Sequence, residues 1–382
     1  MPKRLLKRQN RFSIGRNRLW TRMKSVPRRL AAWWGRRHLA TKIALAAAAF
    51  LAAIVLVGVV SLRMWIRAPA GPDIIINRPS PSAPVLPSGA SPLPMPSGED
   101  THDPPPGPEY VRREGVYTFL LAGVNEGLTD TLMVATLDTA QGVCHVLSIP
   151  RDAAVANAPR SIQKINSAYS QQRNTWDDEP GIAQMKKEIA TLIGFQPQYA
   201  AVVDYNAFLR LVTVIGGVRF NVPMRMHVPY EGIDLQPGLQ DLNADQALQL
   251  VRFRYDPVTG RGYDDYGRMR MQQQFLAAAA KKALSNWTRF PEYIRIAQSN
   301  VESDIDWGNL LWFADQINSI GIDNVVFSTL PTVSVRRPAE LAGEYYEMVL
   351  SVEALELLNE TINPFTVPIG EELVEYIQLS ER

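Results

Sequence analysis

Three apolar segments in close succession decide the fold: residues 116–124 (VYTFLLAGV), 130–138 (DTLMVATLD) and 142–150 (GVCHVLSIP). Each is short and rich in residues that favour strands, and Gly, Asp or Pro stands at its boundary, so each predicts a buried strand. Residues 181–193 then carry apolar side chains at helical spacing, which predicts a helix with one buried face formed by Ile182, Met185, Ile189 and Ile193.

Strands and helices go on alternating beyond this helix. Further strands are predicted at 199–205, 218–223 and 324–331, and further helices at 207–217, 244–251, 267–284 and 309–317. Asn243 is placed to cap the helix at 244–251. The alternation predicts an α/β domain, a three-layer α/β/α sandwich around a mixed central sheet.

Composition excludes several classes of protein. Cys144 is the only cysteine of the 382 residues, so neither an intrachain disulfide nor a cysteine-rich zinc site can form. Four scattered histidines include no HExxH pair, which argues against a zinc protease of that class. Neither GxGxxG nor GxxxxGK[ST] occurs, so nothing supports a dinucleotide fold or a P-loop nucleotide hydrolase.

The charge is distributed unevenly along the chain. Residues 1–72 hold 16 basic and no acidic residues, which leaves 24 basic and 38 acidic residues in the remainder. Residues 43–62 are uncharged, and a helix of twenty residues spans about 30 Å, the thickness of the hydrocarbon core of a bilayer. Tryptophans flank the stretch, and the basic tail before it fits the positive-inside rule.

We therefore predict a single-pass cell-membrane protein with a cytoplasmic N-terminus and an extracytoplasmic body. A cleaved signal peptide is the alternative, but the apolar run is longer than usual and no clear A-x-A site follows it. The basic tail shows no DNA-binding motif, so we assign it to topology and lipid attraction, with no nucleic-acid partner.

Residues 63–110 are predicted to form an extracytoplasmic stalk, because 13 of the 28 prolines lie between residues 69 and 110. The predicted organisation is a basic tail at 1–42, a transmembrane helix at 43–62, this stalk, and a folded domain at 111–382 with its core at 115–285.

Charged and amide side chains stand beside the apolar strands and predict a phosphate or diphosphate site. Guanidinium groups match phosphate oxygens bidentately, and carboxylates beside a polyanion favour Mg²⁺. Each residue taken alone is also compatible with a structural role, as an ion pair in a turn, a strand-start cap or a solvated side chain. The candidates are Asp130, Arg151, Asp152, Lys164, Asn166, Arg252, Arg254, Asp265, Arg268 and Gln272.

Six motifs in order carry a resemblance to a known family: TDTLMVATLD, LSIPRD, KINSAY, IGGVRFNVP, LNADQALQLVRFRYD and DYGRMRMQQQFL. In order and spacing they closely resemble the LytR-CpsA-Psr family over residues 115–285, and the chain to about residue 365 looks like the family's C-terminal portion. The resemblance implies an α/β/α fold with an apolar tunnel for a polyprenyl chain. It also implies transfer of a glycopolymer from a polyprenyl-pyrophosphate lipid to the muramic acid 6-hydroxyl of peptidoglycan.

The resemblance also implies roles for the candidate residues. Arg151, Arg252 and Arg254 would hold the pyrophosphate and Asp130 would help to bind Mg²⁺. Asp265 is a candidate base for the acceptor hydroxyl. The remaining residues that would complete the head-group site are Asp152, Lys164, Arg268 and Gln272, with Asn166 in the same motif as Lys164.

Two positions depart from the family pattern. Asn125 stands where the family commonly has an Asp, in Gly123-Val124-Asn125, and the loop that follows is shorter. Met271 stands where an Arg usually precedes the Gln pair. The first departure bears on metal binding and the second removes one positive charge.

Three functions compete at this point. The first is a phosphotransferase that moves a lipid-linked glycopolymer onto peptidoglycan. The second is a pyrophosphatase acting on the same lipid without an acceptor. The third is a membrane-bound regulator or scaffold of envelope biogenesis, for which the pocket arginines would be dispensable and the basic tail would not.

Overall fold

The computed structural model describes residues 68–77, 109–155, 164–170, 181–336, 345–349 and 351–376. No helix among these residues is long and apolar enough to cross a bilayer. The predicted basic tail and membrane helix, residues 1–62, lie outside the described part of the chain, as do most of the predicted stalk residues.

The strands are β1 (Val116–Asn125), β2 (Leu128–Asp138), β3 (Val143–Ser148), β4 (Tyr199–Asp204), β5 (Val218–Val222), β6 (Met226–Val228), β7 (Ile233–Leu235), β8 (Gly238–Leu242), β9 (Glu302–Ser303), β10 (Val325–Thr329), β11 (Thr332–Arg336) and β12 (Tyr345–Val349). The α-helices are α1 (Gly181–Ile193), α2 (Tyr205–Ile215), α3 (Ala244–Arg252), α4 (Asp265–Leu284), α5 (Phe290–Asn300), α6 (Trp307–Ile320) and α7 (Ser351–Thr361).

Six strands form a central sheet in the order β10-β3-β2-β1-β4-β9. Strand β1 is parallel to β4 and antiparallel to β2, while β3 is antiparallel to β2 and parallel to β10. Strands β1, β3, β4 and β10 therefore run in one direction, and the predicted mixed sheet is confirmed. We call the side where these four strands end the carboxyl edge and the side where they begin the amino edge.

Alternate side chains of β1 pack on opposite faces of the sheet, as the period of a strand requires. Leu120 belongs to a buried cluster that includes Ile189 of α1 and Leu358 of α7. Tyr117 belongs to a second cluster with Phe313 of α6. Helices therefore cover both faces of the sheet. The predicted buried face of α1 is confirmed, with Ile182, Met185, Ile189 and Ile193 all buried.

A third cluster lies between α2, α3 and α4 and two small antiparallel pairs, β5–β8 and β6–β7. Phe253, Met271 and Phe275 are buried in it. Asn243 caps α3 as predicted, in a reciprocal capping box with Gln246. This cluster fixes α3 and α4, the helices that carry two of the four candidate arginines, Arg252 and Arg268.

Residues 68–77, which we call the strap, pair with the body near the amino edge. Ile76 bridges to Phe195, and the amide of Gln196 donates to the Ile75 carbonyl at 2.8 Å. The Gln198 side chain donates to the Pro72 carbonyl at 2.7 Å. This part of the predicted stalk thus lies against the folded domain.

Candidate active site

A β-bulge at the carboxyl edge sets the position of Asp130. Gly123 pairs with Thr131, but Val124 pairs with Thr129, so Asp130 is the extra residue on β2. A bulged residue leaves the ladder and its side chain is redirected. Asp130 accordingly lines a cavity beside the sheet.

The turn before Asp130 is tight. Glu126 and Gly127 both have positive φ, 51° and 87°, as a two-residue type I′ hairpin requires. This turn replaces the longer loop of the family pattern. Asn125 pairs with Leu128 at its base, so the side chain that departs from the family pattern belongs to the hairpin and does not line the cavity.

The cavity has a volume of about 840 Å³ and two unlike ends. We call one the charged end; it is lined by Asp130, Arg151, Tyr205, Glu231, Arg252, Arg254, Arg268 and Gln272. The other, which we call the apolar end, runs between α2, α4 and α5 and is lined by residues that include Phe208, Ile215, Ala279, Ala280, Ala283, Phe290, Tyr293 and Ile294. An anionic head with a long hydrocarbon tail matches this arrangement.

Arg151 follows β3 directly and reaches across to the bulge. Its Nη1 lies 2.7 Å from Asp130 Oδ1, and its Nε lies 3.9 Å from Asp152 Oδ2. Lys164 Nζ lies 3.4 Å from Asp152 Oδ1. The Asn166 amide donates to the Arg151 carbonyl at 3.0 Å. Three sequence-predicted segments therefore meet here, although Asn166 is joined to them by a main-chain contact.

Arg252 and Arg254 flank Phe253, whose ring is fully buried. Arg252 is the last residue of α3, and the chain leaves the helix at Phe253 with ψ 131°. The buried ring holds the chain while both guanidinium groups line the cavity. Their carboxylate neighbours differ: Arg252 Nη2 lies 4.0 Å from Glu231 Oε2, and Arg254 Nη2 lies 3.9 Å from Asp265 Oδ1.

Helix α4 starts two residues before the predicted position. Asp264 caps it by accepting from the Gly267 amide, which places Asp265 in the first turn. Arg268 Nη2 lies 3.1 Å from Asp265 Oδ1, with the Arg268 side chain only 6% exposed. One turn later Gln272 donates to the Val251 carbonyl at 3.2 Å and joins α4 to α3.

Two of the guanidinium groups keep a donor that the protein does not satisfy. The Nε atoms of Arg151 and Arg268 are both buried without a hydrogen-bond partner. Burial lowers the pKa of Arg268, and the positive charge of Arg151 lowers it further, while Asp265 opposes the shift. A buried donor without a partner is costly. The charge of Arg151 acts on Arg268, so an anion bound beside the two guanidinium groups would offset their mutual repulsion.

Two residues of the charged end, Tyr205 and Glu231, were not predicted from the sequence. Tyr205 begins α2 just after its cap, Asp204, and the Arg252 guanidinium lies 5.3 Å from the centre of its ring. Burial raises the pKa of Tyr205, and Asp130 raises it further through charge and a hydrogen bond, while Arg252 lowers it. Tyr205 directly follows a strand, as Arg151 does, and this position in the sequence could have identified it as a site residue.

The second departure from the family pattern has a structural reason. Met271 is 3% exposed and packs in the third cluster with Phe253. A charged side chain pointing there would lie in an apolar core. Arg268 and Gln272, on the neighbouring face of α4, line the cavity instead.

A metal would find few protein ligands here. Within the described ranges, no three histidine, cysteine or acidic side chains come together as a metal-binding group. Asp130 Oδ1 already contacts Arg151, and Tyr205 also hydrogen-bonds to the Asp130 carboxylate. Mg²⁺ commonly takes one or two carboxylates and completes its shell with phosphate oxygens and water. The Asp130 carboxylate therefore fits Mg²⁺ when a substrate supplies phosphate oxygens as the further ligands.

The fold and this two-ended cavity define a class, and comparison with known proteins identifies it. The model of the LytR_cpsA_psr family matches residues 107–363. The chain belongs to the LytR_cpsA_psr family.

Among its curated relatives is the regulatory protein MsrR of Staphylococcus aureus, 28% identical over 204 residues, which cover 51% of this chain and 58% of MsrR. Another is the polyisoprenyl-teichoic acid–peptidoglycan teichoic acid transferase TagU of Bacillus subtilis. TagU is 24% identical over 209 residues, or 52% of this chain and 63% of TagU. The chain thus spans about three-fifths of the length of these relatives.

The crystal structure of B. subtilis TagV has the same fold. Its TM-score is 0.54 at 22% identity, covering 65% of this chain and 96% of TagV. The likeness supports the mixed α/β architecture seen here.

Proposed function

We propose that this protein is a phosphotransferase that moves a glycopolymer from a polyprenyl-diphosphate carrier onto peptidoglycan. The observation that carries the proposal is the cavity whose charged end holds four arginines and whose apolar end continues between three helices. A polyprenyl diphosphate has the same division, with two to three negative charges at one end and hydrocarbon behind them. Membership of the family and the name of TagU support the same substrate class.

The charged end suits phosphoryl transfer, in which a protein mainly positions groups and neutralises charge. Arg151, Arg252, Arg254 and Arg268 would bind the diphosphate oxygens. The acceptor hydroxyl would attack the phosphorus that carries the glycopolymer. The bond from this phosphorus to the bridging oxygen would break, so that the phosphodiester product forms and polyprenyl monophosphate leaves with that oxygen.

Asp265 is the proposed base for the proton of the acceptor hydroxyl. Its carboxylate lies beside Arg254 and Arg268, so it stands next to the proposed phosphate site. A carboxylate in that position can accept the proton of the acceptor hydroxyl. Asp152 and Lys164 would support the site through their contact with Arg151.

We propose that Mg²⁺ binds Asp130 together with the diphosphate, where it would supply further charge neutralisation. Turnover should rise with added Mg²⁺ in the wild type and respond weakly in Asp130→Ala. Binding of Mn²⁺ in place of Mg²⁺, followed by electron paramagnetic resonance, gives a readout besides activity. Full activity in excess chelator would count against the metal.

Substitution of the arginines distinguishes an enzyme from a scaffold. A charge-assisted contact is worth roughly 1.5–3 kcal/mol, so Arg252→Ala and Arg254→Ala should each slow transfer about tenfold to a hundredfold. Arg254→Lys should also be impaired, because lysine lacks the planar fork. Arg219→Ala is the matched control, since Arg219 lies exposed on β5 with its own partner, Asp241.

The assay is transfer of a lipid-diphosphate-linked sugar to peptidoglycan, read beside the melting temperature of each variant. Normal transfer by both folded variants would refute the assignment, and loss of transfer only on unfolding would make the arginines structural. Release of the lipid-linked phosphate without an acceptor would indicate the pyrophosphatase instead.

We also propose the predicted location, a single-pass protein of the cell membrane with a cytoplasmic N-terminus and an extracytoplasmic catalytic domain. The uncharged stretch at 43–62 and the basic tail before it support this topology. A protease added to cells stripped of their wall should digest the chain beyond Arg67 and spare its first forty residues. Digestion of the basic tail would reverse the orientation.

A further inference from the structure

The apolar end of the cavity is bordered by a basic and aromatic surface that the proposed reaction does not use. Residues 281–300, the end of α4 and all of α5, carry four basic side chains and one acidic side chain. Lys281, Lys282 and Arg295 are exposed, and Arg289 is paired with the single acid, Glu292, at 3.0 Å. We call this surface the basic lip, formed by Lys281, Lys282, Trp287, Arg289, Phe290 and Arg295.

Aromatic rings connect the basic lip to the cavity. Trp287 stacks on Phe290 with their ring centres 4.4 Å apart, and Phe290 lines the apolar end. On α4, Ala283 lines the cavity directly beside the exposed Lys282. Indole rings favour the polar–apolar boundary of a bilayer, and basic side chains are attracted to anionic lipid head groups. The composition of the lip therefore matches a membrane surface.

The direction of α4 places the basic lip toward the amino edge of the sheet. Near the start of α4, Tyr266 contacts Thr332 at 2.8 Å, just beyond the end of β10. Gln273 donates to Thr329, the last residue of β10. The helix also contacts the turn Ile322–Asn324 that precedes β10. Because α4 is about 30 Å long, its last turns lie toward the side where β10 begins.

The strap lies on that same edge. The Tyr117 hydroxyl, at the start of β1, donates to the Pro69 carbonyl at 3.4 Å, and Gln198, just before β4, contacts Pro72. The described body therefore begins, at Ala68, on the amino edge. In sequence, only the five residues 63–67 separate Ala68 from the predicted membrane stretch at 43–62.

The acidic residues that follow α5 have partners of their own. Glu302 accepts from the Tyr169 hydroxyl at 2.6 Å, Asp304 pairs with Lys186 at 2.5 Å, and Asp306 caps α6. Their charge is thus engaged locally and leaves the basic excess of the lip available to an external anion.

From these observations we propose that the basic lip docks on an anionic lipid surface and forms the portal through which a polyprenyl tail passes between bilayer and cavity. The passage of the tail rests on the proposed function, whereas the docking does not. The charged end, at the opposite edge of the sheet, would then face away from the lipid, toward the wall.

The test is an environment-sensitive probe on the full chain in lipid nanodiscs. Ser285→Cys places the label at the exposed end of α4 and keeps all four basic residues of the lip. Cys144 will stay unlabelled, because it is buried and burial raises the pKa of its thiol to about 12. A matched probe at Val258→Cys reports the charged-end side, where Val258 is 84% exposed.

The probe at position 285 should shift to the blue in discs of phosphatidylcholine with phosphatidylglycerol and stay unshifted in phosphatidylcholine alone. High salt should abolish the shift, and the probe at 258 should show none. Each basic residue contributes about fivefold to binding an anionic surface, so neutralising Lys281, Lys282 and Arg295 to Gln should lower the docking constant about a hundredfold. Arg270→Gln, an exposed charge nearer the start of α4, should change nothing.

Equal emission in both kinds of disc, or a shift that survives the triple substitution in folded protein, would overturn the inference. The probe is read without substrate, so its result is independent of transfer. Docking without transfer would support the lip and refute the proposed function. Transfer without docking would refute the role of the lip and support the proposed function.

Discussion

The two ends of the cavity share one helix, α4, yet they are built differently. At the charged end, Arg268 and Gln272 are held by neighbours on α3 and in the first turn of α4. At the apolar end, the same helix contributes Ala279, Ala280 and Ala283, and it is their small size that matters. Alanine keeps the helix stable while it leaves volume beside it.

The difference shows where each kind of specificity originates. Binding at the charged end depends on the orientation of its polar side chains. A bulge, a helix cap and the buried ring of Phe253 fix that orientation. The apolar end depends on empty space, which needs no such fixing. Substitutions should accordingly affect turnover at one end and tail binding at the other.

The largest effect is expected for Arg268→Ala. Arg268 is the most buried of the four arginines; it shares its charge with Asp265 at 3.1 Å, and its Nε is a buried donor without a partner. Transfer should fall by about a hundredfold or more, which corresponds to the loss of about 3 kcal/mol from the transition state. Steady-state kinetics should show the loss in kcat as well as in kcat/KM.

The fold should tolerate this change, because Asp265 keeps a second cationic neighbour in Arg254. A melting temperature within a few degrees of the wild type is the control. Arg268→Lys should recover only part of the activity, since it restores a charge and not the fork. A variant that is folded and fully active would remove the charged end from the mechanism.

A smaller and more selective effect is expected from filling the apolar end. Ala280→Phe places a ring in the space beside α4. KM for carriers with long polyprenyl tails should rise about tenfold or more, since each buried methylene contributes about 0.8 kcal/mol. Carriers with very short tails should be affected little, and kcat should stay near that of the wild type.

Gln274→Phe is the matched control, because Gln274 lies on the exposed face of α4. The comparison requires the same assay with carriers of graded tail length. Equal loss for long and short tails would mean that the ring disturbs the charged end instead, and the division of the cavity would fail.

Much of the fold could be predicted from periodicity, because long apolar repeats are determined locally. Helix α1 has the predicted bounds, 181–193, and β1 and β2 differ by one and two residues at the hairpin. Strands β6 and β7 were missed, since three residues are too few to show a pattern. Helix α5 was missed as well; Pro291 lies in its first turn, where proline is tolerated.

The site could be predicted only in part. The residue types and their positions after strands indicated a phosphate site, and six of the ten candidates line the cavity. The bulge that redirects Asp130 depends on the register of β1 against β2, which no local pattern records. Glu231 lies on a short turn after β6, and only the packing of that turn brings it near Arg252.

The smallest effect is expected for Tyr205, at the charged end. Its ring packs beneath Arg252, and its hydroxyl interacts with Asp130. Because burial raises its pKa, the phenol stays protonated at neutral pH and remains a donor. Tyr205→Phe keeps the ring and removes one hydrogen bond, so transfer should fall about threefold to tenfold. The pH profile below pH 10 should keep its shape, and Tyr255→Phe, an exposed tyrosine, should match the wild type. A hundredfold loss, or a new titration between pH 7 and 10, would mean that Tyr205 takes part in proton transfer and does not merely position Asp130 and Arg252.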